Sequence, residues 1–118
     1  MHIPSLAAVV TGDLAYNEVH MMTAETGDAE RARWIANLDT VAALEATFVV
    51  AGHKKVDNDN DPKIIVESQH YLRDFSTAVT EEATASGLVT RMVERYPDWE
   101  NLRTLWYSAR TAAARKGT

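Results

Sequence analysis

Two short runs of mostly apolar residues each lead through a glycine to a side chain that can bind a metal ion. The first run covers residues 7–11 and is followed by Gly12 and Asp13, and the second covers residues 47–51 and is followed by a glycine and His53. Carboxylate and imidazole groups are common ligands of zinc. If both runs are buried strands that end at the same edge of a sheet, Asp13 and His53 contribute to one metal site from distant parts of the chain.

Each of these two side chains also has an ordinary structural interpretation. A Gly-Asp pair is common in turns, where the carboxylate of Asp13 would accept hydrogen bonds from nearby backbone groups. His53 would then make a single polar contact at the end of its strand. A zinc site requires three or four protein ligands, so Asp13 and His53 alone form at most a partial or vestigial one.

The segment after Asp13 carries polar side chains that can line a substrate pocket. Tyr16, Asn17 and His20 lie in a predicted connection over residues 14–28, and connections of this length are often functional. The alternative is a solvated loop without a binding role. We take these three residues as pocket candidates and assign no catalytic residue.

An acidic stretch between the second apolar run and the next predicted helix partly matches a calcium-binding loop. Asp57, Asp59 and Asp61 alternate as calcium ligands do, but Pro62 stands where such a loop requires glycine, and Ser68 replaces the final glutamate. The stretch is more typical of a solvated loop that caps the next helix, with Pro62 at the first helical position.

The periodicity of the apolar residues predicts an α/β fold in a single domain over residues 1–118. Residues 1–56 form a strand-loop-helix-strand core, in which a helix at about 29–44 connects two parallel strands in a β-α-β unit. A turn at residues 4–5 pairs the N-terminus with the first strand. Residues 57–116 form a helical part with three helices.

Helix boundaries follow from capping residues. We expect Asp28 to cap the first helix, Asp61 the second, and Thr84 or Ser86 the third. Tyr96 and Pro97 should end the third helix, because the residue before proline disfavours helical geometry. The last helix is expected to be capped by Asp98, with its apolar positions facing inward at Leu102, Leu105, Trp106 and Ala109.

Composition excludes several functional classes. A net charge of −5 argues against binding to nucleic acid, which requires a basic face. No apolar stretch approaches the roughly 20 residues of a membrane span, and the N-terminus lacks the features of a signal peptide. The absence of cysteine excludes disulfides and thiolate metal sites. We therefore expect a cytoplasmic protein that binds neither nucleic acid nor a membrane.

Taken together, these segments resemble the C-terminal half of a metallo-β-lactamase-fold hydrolase. The similarity rests on the order and surroundings of the following segments: His2-Ile3-Pro4-Ser5-Leu6, Val9 to Asn17, the helix around Trp34, Val49-Val50-Ala51-Gly52-His53, Tyr71 to Phe75, Tyr96-Pro97 and Leu105-Trp106. The resemblance implies half of a four-layer αββα sandwich. It also implies that Asp13 bridges two zinc ions and that His53 completes the second site, for hydrolysis of an ester, thioester or amide bond.

The first half of that fold, which carries a His-x-His-x-Asp-His motif, has no counterpart here. The four histidines stand at positions 2, 20, 53 and 70, and none lies in that pattern. We expect a truncated, non-catalytic half-domain that forms homo-oligomers to cover its exposed sheet, with zinc absent or weakly bound. The alternative is the C-terminal part of a zinc-dependent hydrolase that needs a complementary N-terminal half.

Overall fold

The chain folds into three strands and four helices within the part that the computed structural model describes, which comprises residues 2–3, 8–24, 26–46, 48–54 and 61–116. The elements in chain order are β1 (His2–Ile3), β2 (Ala8–Asn17), α1 (Asp28–Ala42), β3 (Phe48–Lys54), α2 (Lys63–Glu81), α3 (Ala85–Arg95) and α4 (Leu102–Lys116). The α/β class and the three C-terminal helices are as predicted. The predicted turn at residues 4–5 and the acidic residues Asp57 and Asp59 lie outside the described residues.

The sheet has the order β1-β2-β3 and contains both parallel and antiparallel pairs. β1 is antiparallel to β2, with His2 opposite Val9, and β2 is parallel to β3, with Val9 opposite Val49. The β-branched valines favour extended backbone at these central positions. Because α1 connects two neighbouring parallel strands, the predicted β-α-β unit is confirmed.

β2 continues beyond the point at which the sequence predicted a loop. Gly12 lies opposite Ala51, and Tyr16 lies opposite His53, so three residues of β2 are matched by one residue of β3. The strand therefore contains an irregularity and ends only at Asn17. The prediction that residues 14–17 belong to a connection is wrong, because pairing of Tyr16 and Asn17 with β3 keeps this segment extended.

The first helix begins in a different way from the one predicted. Gly27 precedes the helix, and its backbone N–H donates to the Glu30 carboxylate at 2.9 Å. Asp28 is the first helical residue, and its carboxylate pairs with Arg31 at 2.8 Å. Asp28 is thus not the cap, since the carboxylate three residues after Gly27 binds back to that position.

The third helix begins and ends as predicted, whereas the second begins one residue later than predicted. α2 starts at Lys63, so Pro62 stands at the cap position and not at the first helical position, and Asp61 precedes the cap. The Asp61 carboxylate accepts a hydrogen bond from the Lys63 backbone N–H at 2.8 Å, and the Thr84 hydroxyl accepts one from the Gly87 N–H at 3.0 Å. α3 ends at Arg95, directly before the Tyr-Pro pair. Side-chain acceptors at these positions satisfy backbone donors that the first helical turn leaves unpaired.

The last helix begins later than predicted. α4 starts at Leu102, after Asn101, whose φ angle of 67° interrupts the helical backbone. Asp98 therefore does not cap it, and Leu102 is exposed rather than inward-facing. Leu105 and Ala109 are buried as predicted, because the later start leaves the helical spacing within α4 unchanged.

Helices α1 and α2 lie side by side on the sheet. Both contact β2, and the Gln69 amide nitrogen of α2 donates to the Ile35 backbone oxygen and the Asp39 carboxylate of α1, at 3.0 and 2.8 Å. Two helices that contact each other and the same strand cover the same face of the sheet. Helices α3 and α4 pack against α2 and against each other. Within the described ranges, no helix is long and apolar enough to cross a membrane.

Candidate functional site

His53 stacks on Tyr16 across neighbouring strands. The two residues are register partners, their ring centroids are 4.9 Å apart, and their planes differ by 14°. Tyr16 is only 5% exposed, whereas His53 is exposed at the end of β3. The buried phenol ring therefore supports one face of the imidazole and leaves its edge at the protein surface.

The backbone of Tyr16 is held by a buried serine from α2. The Tyr16 N–H donates to the Ser68 hydroxyl at 3.1 Å, and the same hydroxyl donates to the Tyr16 carbonyl at 3.2 Å. Ser68 is fully buried. One side chain thus satisfies two backbone groups at the irregularity of β2 and fixes the position from which Tyr16 supports His53.

A cleft of about 290 Å³ opens beside this stacked pair. Its lining consists of Tyr16, Met22, Trp34, His53, Asn101 and Thr104. The Trp34 ring centroid lies 6.4 Å from that of Tyr16, and Met22 is 44% exposed. We call this the aromatic cleft, because rings and a thioether form most of its wall.

A second cleft of about 520 Å³ also has His53 in its lining. It is lined by Val19, Gly52, His53, Lys54, Glu100 and Asn101. We call it the charged cleft, because Lys54 and Glu100 give it a cation and a carboxylate. His53 and Asn101 line both clefts and therefore stand at their junction.

The segment that carries Glu100 and Asn101 is attached to the end of β2. The Glu100 N–H donates to the Glu18 carbonyl at 3.0 Å, and the His20 N–H donates to the Glu100 carbonyl at 2.9 Å. Glu18 and Asn101 both have positive φ angles, of 54° and 67°. A positive φ angle costs free energy for a residue with a side chain, so the surrounding contacts must hold it in place. Here the backbone hydrogen bonds of Glu100 hold the segment that forms the wall shared by the two clefts.

His20 lies in an aromatic cluster inside the protein, not against the clefts. It is 1% exposed, and its Nδ1 lies 3.1 Å from the Tyr71 hydroxyl. Burial lowers the pKa of His20 to about 4 and raises that of Tyr71. Trp99 stacks on Tyr71 with centroids 5.0 Å apart, and its ring also lies 6.2 Å from His20. His20 is therefore a neutral core residue in this structure, and Asn17 is also buried.

Asp13 lies on β2 directly after Gly12, which is opposite Ala51. The backbones of Asp13 and His53 are thus on adjacent parallel strands, as the sequence predicted, although both lie inside their strands rather than after them. The Asp13 side chain lies outside what the structure describes. Among the side chains that it does describe, no three His, Asp or Glu residues form a group that could hold a metal ion. Asp13 and His53 are two potential ligands, fewer than a complete zinc site needs.

Sequence reasoning identified Tyr16 and His53 at the clefts but missed most of the other lining residues. Trp34 was not among the pocket candidates, but it packs against the core and also lines the aromatic cleft. Asn101 and Thr104 come from the opposite end of the chain. Nothing local in the sequence indicates that their segment docks on β2, since the docking uses backbone hydrogen bonds.

Comparison with known proteins yields no match to a family model, a curated protein or a solved structure.

Proposed function

We propose that this chain is a metallo-β-lactamase-like half-domain that lacks a complete metal site of its own and associates with a second copy through its sheet. The observation that supports this most is that α1 and α2 contact each other as well as β2, from which we infer that they cover the same face of the sheet. Val9 and Val49 are buried, whereas Ala8 and Val50, which alternate with them along the strands, are only half-buried. A second copy would remove these apolar positions from water.

The dimensions of the molecule and the edge of its sheet support the same proposal. The extents are 49 × 29 × 17 Å, and the shortest fits one sheet with one layer of helices. No described strand pairs with the outer edge of β3, whose only charged residue is Lys54. Edge strands that are mostly apolar and carry few protecting charges tend to pair with other chains.

The test is the mass of the protein in solution, measured by sedimentation equilibrium for the original sequence and two variants. We expect a dimer for the original chain and a monomer for Val50→Glu, because carboxylates would meet across the two-fold axis. Val66→Glu is the matched control, since Val66 is 51% exposed on α2 and should leave the dimer intact. A monomer at all micromolar concentrations of the original protein contradicts the proposal.

A second candidate function is the C-terminal part of a zinc-dependent hydrolase that is completed by a separate N-terminal half. The adjacent parallel strands that carry Asp13 and His53 favour it, because they bring two potential ligands to one region of the sheet. Under this hypothesis the missing ligands come from the complementary polypeptide.

Metal analysis of the purified chain distinguishes the two candidates. The half-domain hypothesis predicts well below one zinc ion per chain after dialysis, with no difference between the original protein and the Asp13→Ala and His53→Ala variants. Stoichiometric zinc that both substitutions remove would favour the hydrolase. Circular dichroism of each variant establishes that any loss of zinc does not reflect unfolding.

A further inference from the structure

We infer that the aromatic and charged clefts form one binding site for a small zwitterionic molecule that carries an aromatic ring. The ring would occupy the aromatic cleft and the charged groups the charged cleft, with His53 and Asn101 beside the bond that joins them. This inference goes beyond the proposed function and does not depend on self-association.

The walls of the aromatic cleft suit a flat apolar group. Tyr16 and His53 are nearly parallel, and Trp34 is inclined to Tyr16 by 54° at 6.4 Å. Met22, which is 44% exposed, adds a polarisable thioether of the kind that packs well on aromatic rings. None of the described lining residues is an Asp, Glu, Lys or Arg, so a ring can enter this cleft without desolvating a carboxylate, ammonium or guanidinium group.

The charged cleft has the opposite character. Lys54 supplies an ammonium group and Glu100 a carboxylate, and both residues are exposed. A ligand with a carboxylate and an ammonium group can form charge-assisted hydrogen bonds with this pair. A ligand with a single charge would be attracted by one of the two residues and repelled by the other, which favours a zwitterion.

The junction between the clefts is held in place by the backbone. Asn101 has a φ angle of 67°, and the preceding residue, Glu100, is bonded through its backbone to Glu18 and His20. Tyr16 supports the ring of His53 on the opposite strand. A site whose dividing residues are fixed before binding loses little conformational entropy when a ligand spans it.

The experiment is an NMR titration of the full chain with three probes: L-phenylalanine, p-cresol and glycine. L-Phenylalanine should shift both the Trp34 indole signal and the Lys54 backbone amide signal. p-Cresol should shift only the Trp34 signal, and glycine should shift neither at the same millimolar concentrations. We expect L-phenylalanine to bind at least about tenfold more tightly than p-cresol, a difference of about 1.4 kcal/mol.

Three variants locate the binding. Trp34→Leu should weaken L-phenylalanine and p-cresol alike, by roughly tenfold, because both place a ring against Trp34. Lys54→Met should weaken only L-phenylalanine. Tyr107→Ala is the control, since Tyr107 is an exposed aromatic residue on α4 outside the lining of both clefts.

The inference is overturned if L-phenylalanine causes no shift, if Trp34→Leu and Lys54→Met bind it as the original protein does, or if Tyr107→Ala weakens it equally. The mass of the same sample separates this result from the proposed assembly. A dimer that does not bind L-phenylalanine contradicts only the site, and a monomer that binds it contradicts only the assembly.

Discussion

At the scale of single residues, the buried polar side chains connect segments that are far apart in the chain. His20 contacts Tyr71 of α2 through its ring and Glu100 through its backbone. Arg31 is 3% exposed and binds groups both from α2 and from the loop before α1. The free energy of unfolding therefore depends on the protonation state and the shape of these buried side chains. When one of them loses a hydrogen-bond partner in the core, water cannot take the place of that partner.

The stability of the protein should fall between pH 6.5 and pH 4 because of His20. Its pKa is lowered from 6.5 to about 4 by burial, so within this range the unfolded chain takes up a proton that the folded chain does not bind. The contribution to the free energy of unfolding that is lost reaches at most about 3 kcal/mol. Urea unfolding at pH 7 and pH 5 should show a smaller difference for His20→Gln than for the original protein. His70→Gln, at an exposed position, should retain the original pH dependence.

Arg31→Lys should lower the free energy of unfolding by about 2–3 kcal/mol. The guanidinium group donates to the Ser76 hydroxyl at 2.6 Å, the Thr26 carbonyl at 2.7 Å and the Asp28 carboxylate at 2.8 Å, and it lies over the ring of Phe75. An ammonium group retains the charge but cannot reach these partners together.

Chemical denaturation measures the effect of the Arg31 substitution. Arg33→Lys on the exposed side of the same helix is the control and should change stability by less than about 0.5 kcal/mol. Equal losses for the two variants would show that the planar arrangement of donors in Arg31 has no special role.

At the scale of elements, the contact between α2 and the irregular part of β2 positions the candidate site. Ser68 binds both backbone groups of Tyr16, and Tyr16 in turn supports His53 on β3. The contacts therefore connect α2 through β2 to the exposed end of β3. A change at Ser68 should reach His53 although the two residues are on different elements.

Ser68→Ala should destabilise the protein by about 1–3 kcal/mol, because two buried backbone groups of Tyr16 lose their partner. It should also shift the NMR signals of the His53 ring, since the aromatic ring beneath it moves. Thr80→Ala removes a hydroxyl from an exposed position of the same helix and should cause neither change. A loss of stability without any change in the His53 signals would show that the contact between Ser68 and Tyr16 does not position His53.

At the scale of the whole molecule, Ala8 and Val50 on the strands are only half-buried within the part of the chain that the structure describes. A domain of this size has little stability to spare, so burial against a second copy would contribute directly to the stability of the fold. The proposed dimer therefore links stability to protein concentration.

The midpoint of thermal unfolding should rise by roughly 3 °C for a tenfold increase in protein concentration. This follows because folded dimers are favoured over unfolded monomers by mass action. Scanning calorimetry at several concentrations measures the effect, and Val50→Glu should remove it. A midpoint that is independent of concentration in the original protein would contradict the coupling of folding to association.

The sequence by itself determined the α/β class, the parallel pairing of the two apolar runs and the positions of α2 and α3. The helices follow from local patterns: helical spacing of apolar residues, the Thr84 cap, and the Asp61 carboxylate that binds the first turn of α2. The pairing of the two valine-rich runs is a contact between distant segments, and it was predicted from the length of the helical connection between them.

Only the tertiary structure decided how the site is built. The extension of β2 to Asn17, the burial of His20 and the docking of Asn101 all depend on contacts between segments that are distant in sequence. Polar residues after Asp13 look like a loop until β3 and Ser68 supply partners for their backbone. The hydrogen bonds of Glu100 with Glu18 and His20 join backbone groups only, and for that reason no pattern of residue types predicts them.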